Sequence, residues 1–117
     1  MDKLKWYKLS NLEIKDKKGK WIRDYRFSYN DNASQRLILQ SVSEFVWGAN
    51  GRNFNMEYDF PEQLPPYLSG KVDHWGFYNN RLMTDNYATH YDSREPNADV
   101  LTFGVLKRLH YPTGGYT

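Results

Sequence analysis

The sequence predicts an all-β fold, built mainly of antiparallel hairpins in a meander, with at most one short helix and a single domain spanning residues 1–117. Aromatic side chains make up 17% of the chain, and such side chains favour strands over helices. Apolar residues alternate with polar ones, whereas spacing typical of an amphipathic helix is scarce. Clusters of Gly, Pro, Asn and Asp separate the alternating segments and predict turns between strands.

The first hairpin unit is predicted over residues 6–29. Its first strand runs from Trp6 to Lys15, and Leu12 and Ile14 share one face of it. The turn Asp16-Lys17-Lys18-Gly19 follows, because glycine accepts the positive φ that such tips require. The second strand runs from Lys20 to Tyr29, and four aromatic residues share a face along it: Trp21, Tyr25, Phe27 and Tyr29.

The second hairpin unit is predicted over residues 36–60. Its first strand, Arg36 to Trp47, contains the run Leu37-Ile38-Leu39, which predicts burial on both faces or a bulge. The segment Gly48-Ala49-Asn50-Gly51 turns the chain. Alternation is then regular through Phe54, Met56, Tyr58 and Phe60, and Pro61 ends the strand because it cannot donate to a ladder.

The remaining chain has weaker patterns. Three prolines favour an ordered loop over residues 61–70. The aromatic segment Val72 to Asn80 predicts a strand, whereas Arg81 to Asn97 is polar and mixed. Ala98 to His110 fits either a short helix or a strand, and the turn at Pro112-Thr113-Gly114-Gly115 favours the strand of a third hairpin unit, residues 105–117.

The hairpin units form a weak internal repeat of strand, glycine tip and returning strand with alternating aromatics. A lone hairpin is marginal in water, so such units must stack to bury their aromatic faces. The third unit lacks its return strand in the sequence. We therefore expect the chain to have been cut from a larger repeat protein, unless Leu106 to Tyr111 pairs with a neighbour unaided.

Charge is distributed unevenly, although the net value is only +2. The first part of the chain is basic, with Lys15, Lys17, Lys18 and Lys20 around the first turn. We interpret these lysines as a solvated hairpin tip rather than a phosphate- or nucleic-acid-binding patch, and expect no nucleic-acid partner. The sequence has no apolar run typical of a signal peptide or a membrane span. It predicts no membrane insertion, and a place either in the cytoplasm or downstream of an export signal.

The sequence offers little sign of catalysis, and we expect neither enzymatic activity nor a cofactor. The absence of cysteine excludes thiol chemistry, and neither a nucleophile elbow nor a phosphate-binding glycine loop is present. His74, His90 and His110 lack the short spacing typical of metal ligands. A polar loop is also preferred over a calcium site at four oxygen-bearing residues: Asp85, Asn86, Asp92 and Glu95.

Two blocks resemble a known family. The segment Asp73-His74-Trp75-Gly76-Phe77-Tyr78-Asn79-Asn80 and the segment from Val105 to Thr117, with its Tyr-Pro-Thr-Gly-Gly stretch, are similar to blocks in Rhs/YD-repeat proteins of Bacteroidetes. This resemblance implies a long, exported or cell-surface protein of many β-hairpins, and no catalytic residues in this region. The chain departs from the family's tyrosine-aspartate array, since only Tyr58-Asp59 and Tyr91-Asp92 carry that dipeptide.

The aromatic block admits two interpretations. Trp75, Phe77 and Tyr78 are interpreted as a buried cluster that holds down the proline-rich loop, in which Asp73 bonds to backbone and Gly76 allows close approach. The alternative is a carbohydrate- or peptide-binding groove that uses Trp47, Trp75 and Tyr78. Expected partners are neighbouring repeats of the parent chain, a protein or a glycan, and a second copy through uncovered strand edges.

Overall fold

A computed structural model describes residues 7–30, 32, 35–83 and 91–117. It contains five strands, and they form one antiparallel sheet in the order β1-β2-β3-β4-β5. The strands are β1 (Asn11–Lys15), β2 (Trp21–Asn30), β3 (Ile38–Val46), β4 (Arg52–Tyr58) and β5 (Leu106–His110). A 3₁₀ turn covers Pro61–Gln63, and residues 91–93 are helical. The predicted fold class is therefore confirmed.

Contacts along the chain group it into two compact units. Unit 1 consists of Met1–Asn30, Leu39–Met56 and Leu109–Thr117. Unit 2 consists of Asp31–Ile38 and Glu57–Arg108. Each unit is described by itself below.

The first predicted hairpin is present in unit 1. β1 and β2 pair antiparallel with Leu12 opposite Tyr25, and the register shifts between Ile14 and Lys15. At the tip, the Asp16 carboxylate accepts hydrogen bonds of 2.8 Å from the backbone N–H groups of Lys18 and Lys20. Gly19 has a φ of 78°, as the sequence predicted. The first strand is shorter than expected, because it begins at Asn11; Trp6 lies outside the described residues.

The second predicted hairpin is also present. β3 and β4 pair antiparallel, and Val42 faces Phe54 in their register. β4 ends at Tyr58 rather than at Phe60, because Phe60 adopts a left-handed conformation with a φ of 41° and turns the chain into the 3₁₀ segment. The Leu37-Ile38-Leu39 run is half-buried throughout, in agreement with the predicted burial on both faces.

One face of the sheet in unit 1 carries a group of apolar side chains beside the ion pair of Arg23 and Glu44. Cross-strand partners point to the same side, and the Tyr25 hydroxyl donates to Glu44 Oε1 at 3.1 Å, which joins the β1–β2 pair to the β3–β4 pair on that side. We call this surface the apolar face; its residues are Leu12, Ile14, Tyr25, Phe27, Tyr29, Val42, Phe54, Met56 and Tyr111. Every one of these side chains is half-buried or exposed. The sheet therefore leaves its apolar side partly open to solvent.

The opposite face is polar. Asp24 is buried and accepts a hydrogen bond of 2.8 Å from Arg26 Nε. The Arg26 guanidinium also lies 4.6 Å from the centre of the Phe45 ring, a cation–π distance. Long polar side chains thus occupy much of this face.

In the third hairpin unit, the last residues of the given sequence pair with the end of β5. Leu109 and Thr117 exchange backbone hydrogen bonds of 2.8 and 3.0 Å, and His110 forms a bridge with Tyr116. Among the described residues, no strand follows β5 beyond this bridge. That the unit lacks a full return strand stays a prediction.

Unit 2 is organised around a few apolar contacts. Val100 is the one buried hydrophobic residue among those that the structure describes. The Phe103 ring lies 5.6 Å from Phe60 and 6.2 Å from Tyr78. The predicted strand over Val72 to Asn80 was wrong, since those residues form a tight turn with a single bridge between Val72 and Tyr78.

Candidate functional site

A buried carboxylate shapes the turn between residues 72 and 78. Asp73 is 1% exposed, and its Oδ1 accepts hydrogen bonds of 2.9 Å from the backbone N–H groups of Trp75 and Phe77. The backbone carbonyl of Asp73 also accepts a hydrogen bond of 3.2 Å from the Gly76 N–H. The side chain thus captures N–H groups that a strand would have given to a neighbour, which explains why this aromatic segment is a turn. The prediction that Asp73 bonds to backbone is confirmed.

Gly76 serves this turn through its backbone conformation. Its φ is 91°, a value that L side chains rarely adopt, and a Cβ built there would meet nothing within 4 Å. The expected close approach of a neighbour at Gly76 was therefore wrong. The glycine is required by its positive φ alone.

A second buried polar side chain ties this turn to residues 93–95. Asn79 is fully buried, and its Nδ2 donates to the carbonyl oxygens of Ser93 at 2.8 Å and Glu95 at 3.2 Å. Its Oδ1 accepts the Arg81 N–H at 3.0 Å. Because all of these groups are paired, the network holds one conformation of the loop at little cost in unsatisfied polar atoms.

Arg94 strengthens the same connection. Its Nη2 donates to the Asp73 carbonyl at 3.1 Å, and its own carbonyl accepts the His74 N–H at 3.0 Å. The Nε of Arg94 is buried without a partner. Because the hydrogen bonds of Asp73, Asn79 and Arg94 hold the loop of residues 73–80, we call this loop the hydrogen-bonded frame.

This frame displays aromatic side chains to solvent. Trp75 is 79% exposed and Phe77 is 58% exposed, whereas Tyr78 is half-buried against Phe103. The favoured interpretation of Trp75 and Phe77 as a buried cluster was wrong. Residue type alone suggested burial, but the hydrogen bonds to Asp73 fix the backbone so that these two rings point outward.

A cleft of about 680 Å³ opens beside the frame, within unit 2. Its lining is mostly apolar and includes two of the three predicted binding residues, Trp75 and Tyr78. The other lining residues are Arg36, Leu64, Asp73, Gly76, Phe77, Pro96, Leu101, Thr102, Phe103, Gly104 and Val105. Its size and apolar character suit a small molecule or a peptide side chain.

Arg36 supplies a cation to this cleft. Its Nε donates to the Pro65 carbonyl at 2.9 Å, and the guanidinium lies 5.8 Å from the centre of the Tyr67 ring. Tyr67 in turn accepts the Leu37 N–H on its hydroxyl at 2.8 Å. The proline-rich loop thus orients Arg36, whose contribution to the site could not be read from the alternation pattern.

Gly104 forms part of the cleft floor. Its φ is 76°, and a Cβ at this position would overlap the Leu64 side chain. Its N–H donates to the Asp59 carbonyl at 2.6 Å. This glycine therefore meets two demands at once, a left-handed backbone and a close approach, which the sequence did not single out.

Trp47, the third predicted binding residue, belongs to unit 1 and does not line this cleft. It is 69% exposed, and its ring centre lies 6.1 Å from that of Trp21. The cleft therefore differs from the predicted groove, which combined Trp47 with Trp75 and Tyr78. Trp75 and Tyr78 share it without Trp47.

The histidines of the described chain pack against aromatic rings. His74 lies 4.6 Å from Tyr91 in unit 2, and His110 lies 5.8 Å from Tyr116 in unit 1. His90 lies outside the described residues, as do Asp85 and Asn86 of the weighed calcium loop. Within residues 7–30, 32, 35–83 and 91–117, no group of three or more His, Cys, Asp or Glu side chains could hold a metal ion.

No protein-family model, curated protein or solved structure matches the chain significantly. Among the residues that the structure describes, no helix has the length and apolar character needed to span a bilayer. The site must therefore be interpreted from its own geometry.

Proposed function

We propose that this chain is a non-catalytic structural and interaction module of a larger exported, YD-repeat-like cell-surface protein. The observation that carries the proposal is the apolar face of unit 1, in which no side chain is fully buried. An apolar sheet face gains stability when another layer covers it. Neighbouring hairpin repeats of a parent chain would supply that layer.

The edge of the sheet supports the same proposal. β1 is an edge strand, and all five of its residues are exposed. Leu12 is 48% exposed and Ile14 is 43% exposed on this strand. An open edge that carries apolar side chains is a template for pairing with a further strand, either of a neighbouring repeat or of a second copy.

The exported, YD-repeat-like character of the parent protein is supported by the resemblance of residues 73–80 and 105–117 to that family. In the first of these blocks, Asp73 and Asn79 are the buried polar residues of the hydrogen-bonded frame. A block that specifies its own conformation in this way can recur in proteins with different partners.

Measuring self-association tests whether a second protein layer packs against the apolar face. We expect the mass measured by light scattering to rise with protein concentration, because a second copy can cover the apolar face. Ile14→Lys places a charge on the apolar face and should raise the concentration of half-association about tenfold. Asn11→Lys adds the same charge to the polar face of the same strand and is the matched control.

A change of less than about twofold is expected for Asn11→Lys. A wild-type chain that stays monomeric at high concentration would contradict the proposal. So would equal weakening by the two variants, since general charge repulsion would then explain the effect.

A second candidate function is the binding of a carbohydrate or a peptide in the cleft of unit 2. The observation that favours it is the exposed Trp75 ring beside the half-buried Tyr78 in one apolar cleft. Flat rings of this kind stack against sugar rings and apolar side chains. The buried frame holds the cleft wall in place before a ligand arrives, which lowers the ordering cost of binding.

Calorimetric titration with a panel of oligosaccharides and aromatic peptides tests this second function. Saturable binding should weaken about tenfold in Trp75→Ala, given the usual contribution of one stacked ring. Trp47→Ala removes another largely exposed indole, outside the cleft, and should leave the affinity unchanged. Equal losses in both variants would contradict a role for the cleft.

A further inference from the structure

Two turns of unit 1 lie side by side at one end of the sheet. The first is the lysine-rich tip of the β1–β2 hairpin, and the second follows β3 at Trp47. The Trp47 N–H donates to the Ile22 carbonyl at 3.4 Å, which joins the residue after β3 to the start of β2.

Aromatic and basic side chains meet there. The Trp47 ring centre lies 6.1 Å from that of Trp21, with an angle of 63° between the planes. Lys20 Nζ lies 5.6 Å from the centre of the Trp47 ring. We call this surface the turn end, and define it as Lys17, Lys18, Lys20, Trp21 and Trp47.

The charge of the turn end is positive because its three lysines outnumber Asp16, the one carboxylate in the tip. Glu13 Oε2 pairs with Lys15 Nζ at 2.7 Å, and Glu44 pairs with Arg23 at 3.2 Å. The Asp16 carboxylate accepts backbone N–H groups at the tip. The three lysines Lys17, Lys18 and Lys20 are all exposed, so an anionic partner can approach them from solvent.

The geometry of Trp47 discriminates among anionic partners. A base or a sugar stacks on the open face of a ring, and Lys20 lies over one of the two faces of Trp47, which leaves less of the ring for stacking. An indole in the headgroup layer of a bilayer has no such requirement, because it is held there by its amphipathic character. Lysines beside it gain from the negative surface potential of anionic lipids.

We propose that the turn end adsorbs to the surface of an anionic lipid bilayer, with Trp47 in the headgroup layer and the three lysines against lipid phosphates. Adsorption is peripheral, since the charged tip Asp16-Lys17-Lys18 excludes entry into the hydrocarbon. The proposal is independent of the covering of the apolar face and of the cleft in unit 2.

Sedimentation with vesicles tests the proposal on the full chain. Vesicles of phosphatidylcholine with added phosphatidylglycerol are compared with phosphatidylcholine alone, and binding should require the anionic lipid. Replacing all three lysines by Gln (K17Q, K18Q and K20Q) should lower the partition coefficient about a hundredfold, or about fivefold for each charge. The matched control replaces Lys8, Lys71 and Lys107 by Gln, lowers the net charge equally, and should lower it less than about fivefold.

Trp47→Ala should weaken binding about tenfold while the far-ultraviolet circular dichroism stays that of the wild type. The emission of Trp47, obtained as the difference between wild type and Trp47→Ala, should shift to shorter wavelength with anionic vesicles. If Trp47→Ala does not fold, the proposal is tested by the vesicle binding of the lysine variants and by the shift of the wild-type tryptophan emission. Equal binding to both lipid compositions, or equal losses in the two lysine triplets, would overturn the proposal.

Competing polyanions complete the test. A single-stranded oligonucleotide and an acidic polysaccharide are titrated at the same ionic strength. We expect weaker binding than to anionic vesicles and little shift in Trp47 emission. Tighter binding to either polymer, with loss in Trp47→Ala, would assign the turn end to a stacked ligand and would overturn the bilayer proposal.

Discussion

The side-chain amide of Asn79 lies 2.8 Å from the carbonyl oxygen of Ser93, in a position from which solvent is excluded. Asn79→Asp keeps the shape of the side chain but replaces the donor by an acceptor that faces two carbonyl oxygens. We expect the free energy of unfolding to fall by about 3 kcal/mol. Chemical denaturation measures this loss. Asn80→Asp is the matched control at an exposed position, and a change there as large as at Asn79 would contradict the buried frame.

Gly104 and Gly76 share a positive φ but differ in the space around them. Gly104→Ala should cost about 3 kcal/mol, because the left-handed conformation is unfavourable for alanine and the new methyl group overlaps Leu64. Gly76→Ala should cost only about 1 kcal/mol, since its surroundings are open. Urea unfolding of the two variants measures the difference. Equal losses would show that the Leu64 contact does not constrain the cleft floor.

Trp75 and Phe103 line the same cleft but differ in burial. Trp75→Ala should change the free energy of unfolding by less than about 0.5 kcal/mol, because the ring is already in solvent. Phe103→Ala should lower it by about 3 kcal/mol, since its ring packs against Phe60 and Tyr78. Thermal unfolding of both variants checks this. A large loss for Trp75→Ala would restore the interpretation of a buried aromatic cluster.

Burial raises the pKa of the Tyr58 phenol above its ordinary value of 10.0. The folded chain therefore holds this proton more tightly than the unfolded chain does. The resulting stability is complete below about pH 10 and is lost as the pH rises through the folded pKa. The wild type should lose stability more steeply than Tyr58→Phe above about pH 10 in denaturation series.

Tyr7→Phe is the control for the Tyr58 series, because Tyr7 is 90% exposed. Its alkaline slope should follow that of the wild type. Parallel slopes for Tyr58→Phe and the wild type would contradict a role for Tyr58 burial.

Period-two patterns predicted the paired strands well where burial alternates, as it does along much of β2 and β4. β3 is instead half-buried at every residue except Gln40. At the majority of strand ends, the observed limit lies within about two residues of the predicted one, which is the usual uncertainty of element boundaries. The first strand was overextended, since the pattern before Asn11 does not show where pairing stops. Strands bounded by a glycine tip, such as β1 and β2 around Gly19, carry the clearest signal.

The site was less accessible to sequence reasoning. The predicted groove combined Trp47, Trp75 and Tyr78, and only the last two line the cleft. Their exposure depends on hydrogen bonds that residue type does not encode. Asp73 accepts two backbone N–H groups only after the chain has turned. Arg36 reaches the cleft from a distant part of the sequence, and no local pattern marks such a residue.

The register shift between Ile14 and Lys15 places one additional residue of β2 opposite the edge strand. Such a bulge sharpens the local twist and bends the strand pair. An incoming chain would therefore find only a short, curved ladder along β1. Lateral growth into long fibrils needs flat, extended ladders, so the same irregularity that shapes the hairpin should also limit its polymerisation.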